Sequence, residues 1–282
     1  MNANNKKWIN YLINIDRRVV YVFILLAVTL PFFLKPVVNI KTTKWVQEAY
    51  NLIEEAAKVN KPIMIGFDYD PSTMAELDPM ARTILRHAFS KNVKIMGINF
   101  MPNGTALGAL TMDEIAKEYG KINGTDYVYM PYMPQYSLVL INLGNDLRLQ
   151  YAKDYRGTLI EDIPMLKGVK NYDDFHLVID LSGTKLPQMY ITFGVTKYNF
   201  NFVVGTTAVS ATEYYTYLQS GQMKGLLPGM KGAAEYEFIS GKIAEAMRGM
   251  ASQEWGHLII ILFIIVGNIL YFVNRKINNQ EN

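Results

Sequence analysis

The chain has 282 residues, a formal net charge of +3, 50% apolar and 19% charged residues, which is too apolar for a disordered chain and low in charge for a wholly soluble one. Its basic residues are scattered with no run longer than a pair, so it carries no nucleic-acid footprint. Cysteine is absent, which excludes disulfides, thiolate nucleophiles and cysteine metal sites, and in an extracytoplasmic domain points to a prokaryote.

The first element is the uncharged run Val19 to Leu34, bracketed by Arg17, Arg18 and Lys35. It is short for a membrane span, so snorkelling arginines or the following PVVNI must complete a transmembrane helix over residues 19–40, with Pro31 kinking or ending it. Lys44 to Val59 places Val46, Ala49, Tyr50, Ile53 and Ala57 on one helical face. The apolar run Pro62 to Phe67 reads as a strand and residues 72–90 as a helix with an awkward Pro79. A strand over Val93 to Phe100, a helix around Thr111 to Tyr119, and strands at Ser137 to Leu143, Leu177 to Leu181 and Phe202 to Val204 continue the alternation. Ala233 to Met250 reads as a further helix running on towards Trp255. The last element, Leu258 to Val273, is the clearer span, within a transmembrane segment over residues 257–274. Asn268 inside it is costly in lipid unless it pairs with another helix.

Basic flanks at both ends (Lys6, Lys7, Arg17 and Arg18, then Arg275 and Lys276) keep the tails 1–18 and 275–282 in the cytoplasm by the positive-inside rule, and residues 41–256 outside. The expected fold is α/β: a Rossmann-like, mainly parallel sheet with helices on both faces, flanked by one N-terminal and one C-terminal transmembrane helix.

Open parallel sheets bind ligands beyond the carboxyl ends of their strands. That rule selects Asp68, Asp70, Ser72 and Thr73 after the first strand, Asn99 and Asn103 after the second, Asn145 and Asp146 after the third, Asp180 and Ser182 at the fourth, and Gly205, Thr206, Thr207 and Ser210 after the fifth. From these, Asp68, Asp70, Asn103, Asp180, Thr206, Thr207 and Ser210 form the candidate ligand edge. Such residues also favour helix N-caps, which accounts for their placement without a ligand. No cofactor is expected beyond a hard divalent cation at Asp68 and Asp70. His87, His176 and His257 lack metal-ligand spacing, and no GxGxxG, P-loop or GxSxG occurs.

Two segments suggest contact with other subunits. Residues 126–136 interleave Tyr127, Tyr129, Tyr132 and Tyr136 with methionine and proline, an amphipathic set of the kind found at interfaces, or an edge strand folded onto the domain. Residues 205–237 space Gly221, Gly225, Gly229 and Gly232 closely, which permits close backbone approach, while Pro228 interrupts any continuous helix.

The motif FDYDPST at residues 67–73 resembles the opening motif of haloacid dehalogenase-like phosphatases, which would make Asp68 a nucleophile and Asp70 an acid/base, but the second strand lacks the Thr or Ser of that family and no lysine and acidic pair follows. It also resembles a degraded metal-adhesion motif of von Willebrand factor A domains, with Asp68 and Ser72 matching and Asp70 replacing the middle serine. The glycine-rich block together with FDYDPSTMAELDPMA resembles an uncharacterised prokaryotic family of two-span membrane proteins with an α/β domain between the spans, a resemblance that implies no activity.

The sequence therefore leads to a non-enzymatic, membrane-anchored subunit or scaffold, partnered by the lipid bilayer and by other membrane subunits or copies of itself through Tyr127, Tyr129, Tyr132, Gly221, Gly225, Gly229 and Asn268. Its rivals are an extracytoplasmic domain that binds or senses a small molecule or cation, and a metal-dependent hydrolase using Asp68 and Asp70.

Overall fold

Short apolar runs bounded by turn residues form six strands in the computed structural model, which describes residues 11–34, 40–242 and 244–281. They are β1 (Ile63–Asp68), β2 (Ile95–Ile98), β3 (Tyr127–Tyr129), β4 (Leu177–Ser182), β5 (Phe202–Thr206) and β6 (Gly225–Pro228). All pair in parallel, in the order β3-β2-β1-β4-β5-β6. Every residue of β1 to β5 is buried, which explains why these runs are apolar throughout and do not alternate.

The helices are α1 (Arg17–Leu34), α2 (Lys44–Val59), α3 (Met74–Ser90), α4 (Gly104–Glu118), α5 (Tyr136–Leu143), a helical stretch α6 over residues 186–198, α7 (Tyr215–Gln219), α8 (Gly229–Ser240) and α9 (Glu245–Glu281). One sheet face meets α2, α3, α4 and α8. Close backbone approach is built in there: a Cβ on Gly205 would lie 3.0 Å from Met80 of α3, and one on Gly225 3.1 Å from Ala49 of α2. The other face contributes Met64, Met96, Val178, Phe202 and Val204 to a core shared with Val139 and Leu140 of α5, Tyr190 and Ile191 of α6, and Tyr214. The α/β expectation is met, with a sheet that is wholly parallel.

Three element assignments are corrected. Ser137 to Leu143, read as a strand, lies in helix α5; an uninterrupted apolar run of that length has no period to separate the two states. The third strand is β3, inside the tyrosine-rich segment. Strand β6 was concealed by its glycine and by Pro228, which it tolerates as the edge strand of the sheet. The helix expected to run from Ala233 through Met250 is instead two: α8 ends at Gly241, whose φ of 68° closes the helix in the left-handed region, and α9 starts afresh at Glu245.

That restart is capped by a carboxylate. Glu237 of α8 is buried and accepts the amide N–H groups of Ala244 at 3.0 Å, Ala246 at 2.9 Å and Met247 at 2.8 Å. These are donors that a helix N-terminus leaves unsatisfied. On the same side of the domain, buried His87 of α3 joins α2 and α8. Its Nε2 meets Glu54 Oε1 at 2.9 Å, its Nδ1 meets the Tyr236 hydroxyl at 2.7 Å, and the Tyr50 ring stacks on it at 4.3 Å. Burial lowers the His87 pKa, so the neutral ring donates from Nε2 and accepts from Tyr236.

The chain divides into two compact units, Asn39–Met247 and the two terminal segments. In the second, α1 and α9 are each long and apolar enough to cross a membrane. They touch along a seam: the Ser252 hydroxyl donates to the Val28 carbonyl at 2.5 Å, and Phe23 and Phe263 meet edge-on with centroids 6.2 Å apart. The PVVNI extension of the first span, apart from Ile40, lies outside the described residues, as do Lys6 and Lys7.

Candidate functional site

The chain leaves β1 towards β2 and leaves β4 towards β5, so the strand order reverses between β1 and β4, where open α/β sheets form their crevice. Register fixes what stands there. Gly66 pairs with Asp180 and Asp68 with Ser182, so two aspartates from neighbouring strands project on one face of the sheet, one step apart. Gly66 is required by this arrangement. A Cβ at that position would sit 2.7 Å from the Tyr190 hydroxyl, 2.9 Å from Asp180 Oδ1 and 3.2 Å from Asp68 Oδ2, so three side-chain oxygens rest against its backbone.

Both carboxyl groups are completely buried. Asp68 Oδ1 accepts the Phe100 N–H at 2.5 Å, at the end of β2, and Asp68 Oδ2 accepts the Tyr190 hydroxyl at 3.3 Å. Tyr190 opens the π-helical segment of α6, a local widening common at functional sites. Asp180 faces Asp68 and has no donor of its own. Two ionised carboxylates cannot hydrogen-bond to each other, so a proton kept on Asp180 supplies the missing bond to Asp68.

The electrostatics agree with that assignment. Burial raises Asp68 to about 6, with the Phe100 amide and the hydrogen bonds from Asp180 and Tyr190 holding it from going higher. Burial, then the Asp68 charge, raises Asp180 well above the usual carboxylate range. Like charges facing each other in the core cannot both ionise cheaply, so the two carboxyl groups titrate as a coupled pair. The same buried charge contributes to raising Tyr129, Tyr151 and Tyr190, after burial itself.

Around the pair, further buried polar atoms stand without a hydrogen-bond partner: Asn99 Nδ2, the Tyr129 hydroxyl and the Tyr151 hydroxyl. A buried polar group without a partner costs roughly 1–3 kcal/mol, and several of them stand together at the sheet's crevice. The ends of α4 and β1 are fitted closely beside them, for a Cβ on Gly104 would meet the Tyr69 and Phe67 carbonyls and one on Gly108 the Tyr129 hydroxyl.

Of the residues expected on the ligand edge, the structure brings Asp68 and Asp180 together. Asp70 lies apart, its Oδ1 accepting the Ser72 N–H at 2.9 Å and hydroxyl at 2.5 Å, which is the geometry of a turn into α3. Asn103 is exposed at the start of α4 and makes no side-chain cap. Thr206 is buried and donates to the Ser182 carbonyl at 2.7 Å, and Thr207 and Ser210 bond to each other at 3.2 Å. No group of three or more His, Asp or Glu side chains able to hold a metal occurs among the described residues.

Of the expected interface residues, Tyr127 and Tyr129 are buried in β3, and Tyr132 is partly exposed in the loop that follows. Gly225 and Gly229 are buried by packing inside the domain, and Gly221 is an exposed turn residue with φ of 79°. Asn268 is exposed on α9, and its amide donates to the Ile264 carbonyl of its own helix at 2.8 Å. The pattern reading passed over Tyr190 and Tyr151. The signal open to it was the isolated aspartate within the apolar strand LVIDL, whose charge must find partners somewhere in the core.

Comparison of the chain with protein-family models, with curated proteins and with solved structures finds no match.

Proposed function

We propose that the protein is a membrane-anchored ligand-binding domain, held by α1 and α9 with both termini in the cytoplasm and the α/β domain outside, whose site is the Asp68 and Asp180 pair at the crevice between β1 and β4. The observation that carries this reading is the shared-proton carboxyl pair ringed by unpartnered buried hydroxyl and amide groups at the point where the strand order reverses. A site of that make-up suits a cationic or hydroxylated small molecule, which accepts from a protonated carboxyl and donates to an ionised one. The fold keeps the pair covered, so binding requires local opening of the loops beyond the strands.

The test is thermal denaturation of the full chain in detergent with calcium chloride, magnesium chloride, spermidine and glucose as probes, beside the Asp68→Asn/Asp180→Asn protein. The reading expects a rise in melting temperature with at least one probe, lost in the double variant. Absence of a shift with all four, in a protein that co-purifies with other membrane subunits, opposes it.

That outcome belongs to the scaffold reading, which one observation favours. Asn268 is exposed on an apolar helix, where lipid gives its amide oxygen no donor and a second subunit would.

A further inference from the structure

At the end of the helix pair that carries the chain termini, α1 and α9 part to leave a groove of about 410 Å³. Its walls are apolar, with Ile15, Val19 and Val20 on one side and Val266, Gly267 and Leu270 on the other, and the Phe23 and Phe263 rings mark its inner end. Gly267 leaves one wall open, since a Cβ there would meet nothing within 4 Å. Asn274 and Tyr271 stand at the outer end. Four exposed cations adjoin the lining in sequence: Arg17 and Arg18 between Ile15 and Val19, and Arg275 and Lys276 directly after Asn274.

We infer that this groove binds one acyl chain of an anionic phospholipid, with the headgroup phosphate held by Arg17, Arg18, Arg275 and Lys276. The inference rests on the membrane anchoring proposed above. The occupant follows from size and charge. One turn of helix fills roughly 400 Å³ by its diameter and pitch, so a groove of this volume cannot seat another span along its length. A narrow hydrocarbon chain fits. The four cations repel the same end of a second copy and attract a phosphate, and basic pockets between spans on the cytoplasmic side are known to suit anionic lipid headgroups. An amide and a phenol at the mouth add hydrogen-bond groups at headgroup depth.

The test is native mass spectrometry of the full chain, delipidated and then offered equal amounts of phosphatidylglycerol and phosphatidylcholine. Wild type should retain phosphatidylglycerol at least five-fold over phosphatidylcholine. Arg275→Gln/Lys276→Gln should lose the preference between lipids. Gly267→Leu, which fills open space and so leaves the helix pair folded, should lose retention of both. Equal retention of the two lipids by wild type, or full phosphatidylglycerol retention by Gly267→Leu, overturns the groove. A chain that fractionates away from membranes overturns the anchoring reading instead, so the two failures are separable.

Discussion

At the scale of residues, the carboxyl pair governs how the domain responds to pH. Asp68 is raised from the ordinary aspartate range to about 6, and Asp180 is raised further, so between roughly pH 4 and 6 and above it the folded state binds more protons than the unfolded chain. Stability contributed by the pair is complete at low pH and is lost as pH rises through the folded-state value. Asp180→Asn keeps a donor towards Asp68 and removes the second ionisation. Its melting temperature should exceed that of wild type by several degrees at pH 8 and match or fall below it at pH 5, read from thermal melts across pH 5–9. A wild-type melting temperature that climbs steadily from pH 5 to 8 would show that the pair is not protonated as described. Gly66 belongs to the same argument. Gly66→Ala drives a methyl against Tyr190 and Asp180, and a loss of about 1–3 kcal/mol is expected in denaturant titration, the usual cost of overpacking.

Between residues and elements lies the question of what was legible beforehand. The amphipathic stripe of α2 and the apolar runs of β1, β2, β4 and β5 are periodic or bounded signals, and the folded chain keeps them. α5 and β6 were not legible, because an unbroken apolar run has no period and a strand holding glycine and proline exists only by virtue of its edge position. Asp68 and Asp180 could be placed at strand ends, but their pairing depends on register between β1 and β4, which no single-strand pattern contains. Tyr190 and Tyr151 arrive from distant segments and were invisible for the same reason. For Asp70 the ligand and turn roles draw on the same side chain, so the pattern could not separate them; in the fold its Oδ1 accepts from Ser72.

Two joints between elements carry further expectations. Glu237 satisfies three amide donors at the start of α9, and Glu237→Ala leaves them without a partner. A loss of about 1–2 kcal/mol is expected, with hydrogen exchange accelerated at residues 244–247 and not in the sheet. Unchanged exchange there would show that α9 is capped by other means. His87→Ala strands the Tyr236 hydroxyl and removes a partner of Glu54, between α2, α3 and α8. Its cost should be about 2–4 kcal/mol, seen as a lower denaturant midpoint, because a buried ring and two hydrogen bonds are lost together.

At the scale of the whole molecule, two apolar helices and a wholly parallel α/β domain are joined in one chain, and the functional reading depends on both. α1 is 18 residues long, about 27 Å of helix, slightly under the thickness of a bilayer's hydrocarbon core. The domain adds a crevice whose polar groups are left incomplete by the protein alone. Native mass spectrometry of the full chain, gently extracted in detergent and compared with the Asp68→Asn/Asp180→Asn protein, tests the claim that the crevice holds a ligand. The account predicts a small-molecule or ion adduct on wild type that is absent from the double variant. A bare wild-type mass, or adducts and partner subunits retained equally by both proteins, would contradict it.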